Sequence, residues 1–547
     1  MPLPLLLAAT GLSPWLIDGA VIVAYFALIL GIGLYASRGQ KSIEDYALGH
    51  RSVPWWAVLA SILAAEVSAG TFLGTPGEGY GLRNFTYAQL AIGTIMARII
   101  VAYVFIQRFY QLGVVSIYEF LEVRFSRTTK RASSLLFLVT RALASGSRMY
   151  VPAILLVVAW QLLRDVNPDL SQTLWLYVGA VGLLTLVTAI YTTLGGIKAV
   201  VWTDLIQVFL MFGAMGYALW TLWRAVGGWG EVRATLHQPD ELIFWDTGIV
   251  SGLGFFGNVK HVLETEYTVW SAFLASVFVT MATHGTDQDM VQRMLTAPDI
   301  RRSRRSLILS GLADVPVAVC FTLIGVLLWV YYHQSAHASA RPEQDVFVNF
   351  ILRELPVGVR GIMAAGLFAT AMGSLSTALN ALATSFTRDF YLGLFRPCAS
   401  SVEQMRAARV ATVGFAILLA AIGVGTAWVK LTHPQVRIIP IVLGSFGYTY
   451  GALLGIFLLG MTTRTRGNTR GNLLAMACGL LAVAVLSDLP NDVARMFNAT
   501  AYPHPGWLPT IEFPWRIFFG TVVTFLVAAC FRTPADVVAR LRPVPPA

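Results

Sequence analysis

The sequence predicts an all-α integral membrane protein that crosses the bilayer about thirteen times. Three observations predict it. Of 547 residues, 56% are apolar and only 12% charged, roughly half the charged fraction of a soluble domain. Mean hydropathy is +0.66. Several apolar stretches exceed the ~20 residues that a helix needs to cross ~30 Å of hydrocarbon, and they run almost end to end with no soluble module among them.

Numbered 0 to 12, the spans cover residues 16–35, 54–75, 85–106, 135–162, 173–194, 199–222, 269–284, 307–331, 362–386, 410–429, 438–459, 473–486 and 517–531. Residues 1–53 hold a short Leu-rich run and span 0. No basic region precedes that run, so span 0 is expected to act as a signal anchor. Spans 1–5 fill residues 54–223, and an external loop follows at 224–268. Spans 6–10 fill 269–460, and spans 11–12 with a short tail fill 461–547. Only the pair Gly195-Gly196 separates spans 4 and 5.

The net charge of +10 does not indicate nucleic-acid binding, because the cations lie in short loops instead of on one basic face. Arg38, Lys41 and Arg51 follow span 0, and Arg124, Arg127, Lys130 and Arg131 follow span 2. Arg301, Arg302, Arg304 and Arg305 follow span 6, and Arg388, Arg396, Arg406 and Arg409 follow span 8. Arg464, Arg466 and Arg470 follow span 10, with Arg532, Arg540 and Arg542 in the tail. These loops alternate onto one side. The excess of cations there predicts an external N-terminus and a cytoplasmic C-terminus in a multi-pass cell (inner) membrane protein. Cys320, Cys398, Cys478 and Cys530 have neither disulfide nor metal-ligand spacing.

Charges inside spans cost ~2.5–3.5 kcal/mol on insertion scales, so each calls for an account. Span 1 carries Glu66, span 2 Arg98, span 7 Asp314, and span 5 opens with Asp204. Span 3 carries Arg141 and Arg148, seven residues apart and so on one face. At 1.5 Å per residue, Glu66 and Arg148 lie ~15 Å and ~20 Å into the bilayer, which predicts that they pair or share a ligand. The structural alternative for all these charges is mutual pairing that holds the bundle together. Asp289 and Asp389, beside cytoplasmic arginines, are expected to cap helices or form surface pairs.

Two segments suit a small hard cation. Ala64–Thr71 surrounds Glu66 with Ala, Ser and Gly. Helix continuity is weak there, and unwound backbone that lines a cavity offers carbonyl ligands; tight helix packing through small residues is the competing explanation. Span 8 contributes Gly373, Ser374, Ser376, Thr377, Asn380 and Thr384, a dense set of neutral oxygens at mid-membrane.

The segments AAEVSAGTFLGTPGEGY (64–80), YTTLGGIKAVVWTDLIQ (191–207), GTDQDMVQRMLT (285–296) and AMGSLSTALNALATSFTRDFY (371–391) resemble the sodium/solute symporter family, which includes sodium/glucose, sodium/proline, sodium/iodide and multivitamin transporters. The resemblance implies a LeuT-like core, with spans 1–5 and 6–10 as inverted repeats, one leading helix and two trailing ones. It also implies sodium ligands at Ala64, Val67, Thr370, Gly373 and Ser374. Gly373 departs from the sugar-transporting pattern of adjacent hydroxyls. The iodide and multivitamin branch shares that glycine and has further hydroxyls downstream, here Ser376 and Thr377. Asp204 matches an acidic residue on the cytoplasmic sodium exit route.

The sugar-binding Gln of sugar transporters aligns with Thr71, their helix 2 Glu has no equivalent where Gln89 and Leu90 stand, and their inner aromatic gate falls near Thr283, departures that speak against a sugar site of that kind. Solute-site candidates are therefore Glu66, Ser68, Thr71, Gln89, Arg148, Thr283 and His284. Proline-transporting members carry an acid at the position of Glu66, and Arg148 could receive a substrate carboxylate in two parallel bonds. The function implied is sodium-coupled import of a small organic solute by alternating access, with Na⁺ as the co-transported ion. Proton coupling through Glu66 or Asp204 stays open, as does a transporter-like sensor. No nucleophile elbow or phosphate loop points to an enzyme. Solute identity, stoichiometry and oligomeric state are left open.

Overall fold

The computed structural model describes residues 14–36, 42–164, 169–334, 346–433, 438–489, 491, 494, 505 and 508–540. Residues 335–345, within the loop expected between spans 7 and 8, and the last residues of the tail lie outside the described set. No strand occurs among the described residues, where the sole β contact is an isolated bridge between Arg466 and Arg532.

Helix α1 (Pro14–Ala36) is followed by α2 (Trp55–Glu66) and α3 (Ala69–Leu82), the two halves of span 1, bent by 59° at their junction. Next come α4 (Leu90–Ile100), which continues through a π-turn, and α5 (Arg127–Arg148), which runs into α6 (Tyr150–Arg164). Helix α7 (Leu170–Val226) holds spans 4 and 5 together. Gly196 breaks it with φ 52° and ψ −154°, a conformation open to glycine and costly for a residue with a Cβ. A methyl there would stand 2.7 Å from the Tyr46 carbonyl oxygen.

Span 6 is also broken, into α8 (Ser276–Gly285) and α9 (Gln288–Met294). Asp287 adopts extended backbone at the break and accepts from the Asp289 N–H at 2.9 Å, which caps α9. Helix α10 (Ile300–His333) starts at an Asp299 cap. The remaining helices are α11 (Val359–Ser385), α12 (Ser401–Thr432), α13 (Ile438–Thr462), α14 (Thr469–Leu486) and α15 (Phe513–Ala529).

At least eight described helices are long and apolar enough to cross a membrane, and nine if the bent α2/α3 pair counts as one span. Helix α11 sits at the centre, buried over nearly its whole length, while α1 and α12 leave most of their apolar surface outside. Such a surface suits lipid. Asp18 of α1 fastens the leading helix to the start of α11: it accepts from the Gly358 and Gly361 N–H groups and pairs with Arg360 at 2.8 Å.

Candidate functional site

The site begins with the break between α2 and α3. Val67 leaves helical geometry (φ −78°, ψ 81°) and Ser68 is extended, without a side-chain cap on α3. A helix end leaves carbonyls and N–H groups without helical partners. One such carbonyl, Ala65, accepts from the Ser374 hydroxyl of α11 at 3.5 Å. Another, Ala64, points toward Gly373: a Cβ at Gly373 would stand 3.5 Å from the Ala64 oxygen, 3.5 Å from Asp204 Oδ1 and 2.9 Å from Gln207 Oε1. Because position 373 has no side chain, these oxygens converge on the space beside it.

Asp204 is fully buried and accepts from the Ser61 hydroxyl at 2.5 Å through Oδ2. Its Oδ1, like Gln207 Oε1, has no hydrogen-bond partner among the described residues. A buried carboxylate oxygen without a donor is costly. With backbone carbonyls and the Ser374 hydroxyl beside it, it forms the all-oxygen environment that a hard cation takes. Ser376 and Thr377 lie one turn along α11, and both hydroxyls donate to the Gly373 carbonyl, at 3.1 and 3.0 Å. Thr370 is buried on the same helix and bonds the Leu367 carbonyl.

A second cluster forms around Glu66, the last residue of α2. Glu66 Oε1 accepts from Arg98 of α4, and His284 Nε2 stands 3.0 Å away without hydrogen-bond alignment. Arg98, wholly buried, also donates to Ser310 at 2.9 Å and lies 3.7 Å from Asp314. The expected pairing of Glu66 with Arg148 is not found. Arg98 reaches Glu66 from the neighbouring helix, whereas Arg148, at the α5/α6 junction, lies over the Phe446 ring of α13 at 4.8 Å. Arg148 has no ion pair among the described residues, and its Nε has no hydrogen-bond acceptor. Thr283 bonds its own helix and His284 Nδ1. Gln89 is fully buried with both amide atoms unpartnered among the described residues. Ser68 is buried and Thr71 half-buried on the first turn of α3.

Asp289 and Asp389 are not surface residues as expected. Asp289 is 1% exposed and pairs with Arg141 and Arg293. Asp389, also 1% exposed, accepts from Ser116 and Ser134 and pairs with Lys130 at 3.3 Å. Asp289 is thus neutralised by buried arginines of α5 and α9, and Asp389 by Lys130, while the neighbouring Arg388 turns to Glu119 instead. Asp287 takes Arg141 at 2.9 Å and the Tyr450 hydroxyl at 2.7 Å, so a chain of alternating charges runs from α5 through the break in span 6 to Asp204.

The family model of the sodium:solute symporter family matches residues 46–479. The chain belongs to the sodium:solute symporter family. A sodium/sialic acid symporter of Proteus mirabilis is 29% identical over 85% of this chain and 88% of its own length. A sodium-coupled monocarboxylate transporter of Homo sapiens is 27% identical over 84% of this chain and 72% of its own. The solved substrate-bound, outward-open structure of a Na⁺-coupled sialic acid symporter superposes with a TM-score of 0.76 at 25% identity, covering 94% of this chain and 97% of that one.

This symporter, like its family, is therefore a sodium-coupled membrane transporter and not an enzyme. The fold brings Ala64, Asp204, Gly373 and Ser374 together, and it gathers Glu66 and His284 in a second group with Thr283 beside them. Arg148 stands apart from both. Gln207, Arg98 and Arg293 were not foreseen as site residues. Gln207 had a signal in the sequence, since it lies three residues after Asp204 and so on the same helix face.

Proposed function

We propose that this symporter imports a small carboxylate-bearing organic solute, driven by sodium. The observation that carries the choice of solute is Arg148. A guanidinium inside an apolar bundle is costly unless paired, and this one has an aromatic face beside it and no ion pair among the described residues. Arg presents paired donors that match a carboxylate. Two relatives are named for acids, a sialic acid and monocarboxylates. Glu66, Ser68, Thr71, Gln89, Thr283 and His284 would line the remainder of the solute path between the breaks of spans 1 and 6.

Sodium is held in this proposal by the carbonyls of Ala64, Val67 and Thr370 and by the Ser374 hydroxyl, with Asp204, Ser376 and Thr377 completing the site or its exit. Gly373 supplies the room. The bundle is read as about thirteen spans with inverted repeats of five, in the cell (inner) membrane, N-terminus outside and C-terminus cytoplasmic.

Counterflow in proteoliposomes against sugars, amino acids, nucleosides and carboxylates, with and without sodium, tests the reading. Sodium-dependent exchange of a carboxylate, lost in Arg148→Gln, is expected. Preference for a neutral solute, or full carboxylate exchange in Arg148→Gln, would overturn it.

A further inference from the structure

The proposed sodium site has a second cation beside it. Arg293 of α9 is wholly buried, and its Nη1 donates to the Ser61 carbonyl of α2. The hydroxyl of the same serine donates to Asp204 Oδ2. Arg293 and Asp204 are thus both anchored on Ser61, with Nη1 held 3.8 Å from Oδ2, an ion pair too long for a hydrogen bond. The Nε of Arg293 has no hydrogen-bond acceptor among the described residues, and Nη2, 3.4 Å from Asp289 Oδ1, is not aligned with it. Asp204 Oδ1 likewise has no donor. Arg293 and Asp204 thus each keep unpartnered atoms, Nε and Nη2 on one and Oδ1 on the other, while their nearest atoms stop about an ångström short of a direct hydrogen bond. Along this chain of contacts three carboxylates (Asp204, Asp287, Asp289) meet two guanidinium groups (Arg141, Arg293). One further monovalent cation brings it to neutrality.

We propose that Arg293 is a tethered counter-cation for Asp204. When sodium occupies the site, Asp204 Oδ1 turns to the ion and Arg293 keeps its hold on Ser61 and Asp289. When sodium leaves toward the cytoplasm, the guanidinium closes onto Asp204, so that the empty carrier does not carry a bare buried carboxylate through its return. Ion and arginine compete for one carboxylate. The competition also links the halves of spans 1 and 6, since Ser61 lies on α2 and Arg293 on α9.

This inference rests on Asp204 facing sodium, and the experiment separates the two. Sodium-dependent thermal stabilisation of the full-length protein in detergent gives a midpoint sodium concentration without reference to transport. In Arg293→Gln the competitor is gone and the midpoint should fall about fivefold or more, the range of a typical coupling between sites. Net uptake should slow much more than sodium-plus-solute counterflow, because only net uptake requires the empty carrier to return. Arg293→Lys, which keeps a charge on a shorter reach, should give a midpoint between the two; it carries the test if the Gln variant does not fold. An unchanged or raised midpoint in the variants, or equal loss of uptake and counterflow, overturns the proposal. An unchanged midpoint in Asp204→Asn instead removes the sodium-site reading beneath it.

Discussion

Ser374 offers its hydroxyl at the junction of α11 and the broken end of α2, half-buried and bonded at 3.5 Å to the Ala65 carbonyl. So long a bond contributes little to stability, and Ser374→Ala should leave the fold nearly intact. A lost contact to an ion is another matter, at about 1.5–3 kcal/mol. Apparent sodium affinity should therefore fall roughly tenfold to hundredfold, measured as the sodium dependence of uptake normalised to expressed protein. Wild-type sodium dependence in this variant would remove Ser374 from the site. At Glu66 the outcome expected is structural. Glu66→Gln leaves Arg98 buried opposite a neutral amide, with Asp314 at 3.7 Å as its remaining carboxylate. Each single replacement of Glu66 or Arg98 by Gln should cost ~3–5 kcal/mol, and the double variant should recover part of it. A double-mutant cycle on detergent melting tests this; strictly additive losses would mean that the pair is not coupled. The same cycle between Glu66 and Arg148 should be additive, since they do not touch.

The helix breaks differ in how they are written in the sequence. The small residues from Ala64 to Thr71 mark the first, and the bend is found there. Gly195-Gly196 marks the turn inside α7, and Gly196 alone takes the positive φ. Gly196→Ala should destabilise the protein by about 1–3 kcal/mol, whereas Gly195→Ala tests only crowding; equal melting temperatures for wild type and Gly196→Ala would mean that the turn relaxes freely. The break in span 6 was missed. Its signal is a single Gly-Thr-Asp triplet after a run that reads as the end of a span, and the continuation into α9 carries Asp289 and Arg293, residues that suggest a cytoplasmic loop. Charges that neutralise one another in three dimensions look solvated in one. For the same reason Asp289 and Asp389 read as surface residues, and the partners of Glu66 and Arg148 could not be chosen by depth alone. Depth narrows the candidates to one layer of the bilayer, but only the azimuth of each helix selects among them.

For the molecule as a whole, the distribution of arginines predicts which loops lie on which side. In a background lacking Cys320, Cys398, Cys478 and Cys530, a cysteine at Thr247, exposed in the loop before α8, should react with an impermeant reagent added outside. A cysteine at Arg301, exposed at the start of α10, should react only after permeabilisation. The reverse pattern would invert the orientation, and reaction of both from one side would change the parity of spans between them. Family membership and the all-helical membrane class were legible because apolar length and family motifs remain readable at under 30% identity. Solute choice was not, because the neighbours of a side chain such as Arg148 come from distant parts of the chain.

The turn at Gly196 has a consequence for the register of everything after it. Asp204 lies eight residues beyond that glycine, about 12 Å along the helix axis. No loop intervenes in which an inserted or deleted residue could be absorbed. One extra residue between them would rotate Asp204 by about 100° and advance it by about 1.5 Å, carrying its carboxylate from the Ser61 side of the helix toward another neighbour. The glycine thus acts as an angular datum: it sets the compass bearing of the acid, and the site tolerates changes of side chain along this stretch far better than a change in the count of its residues.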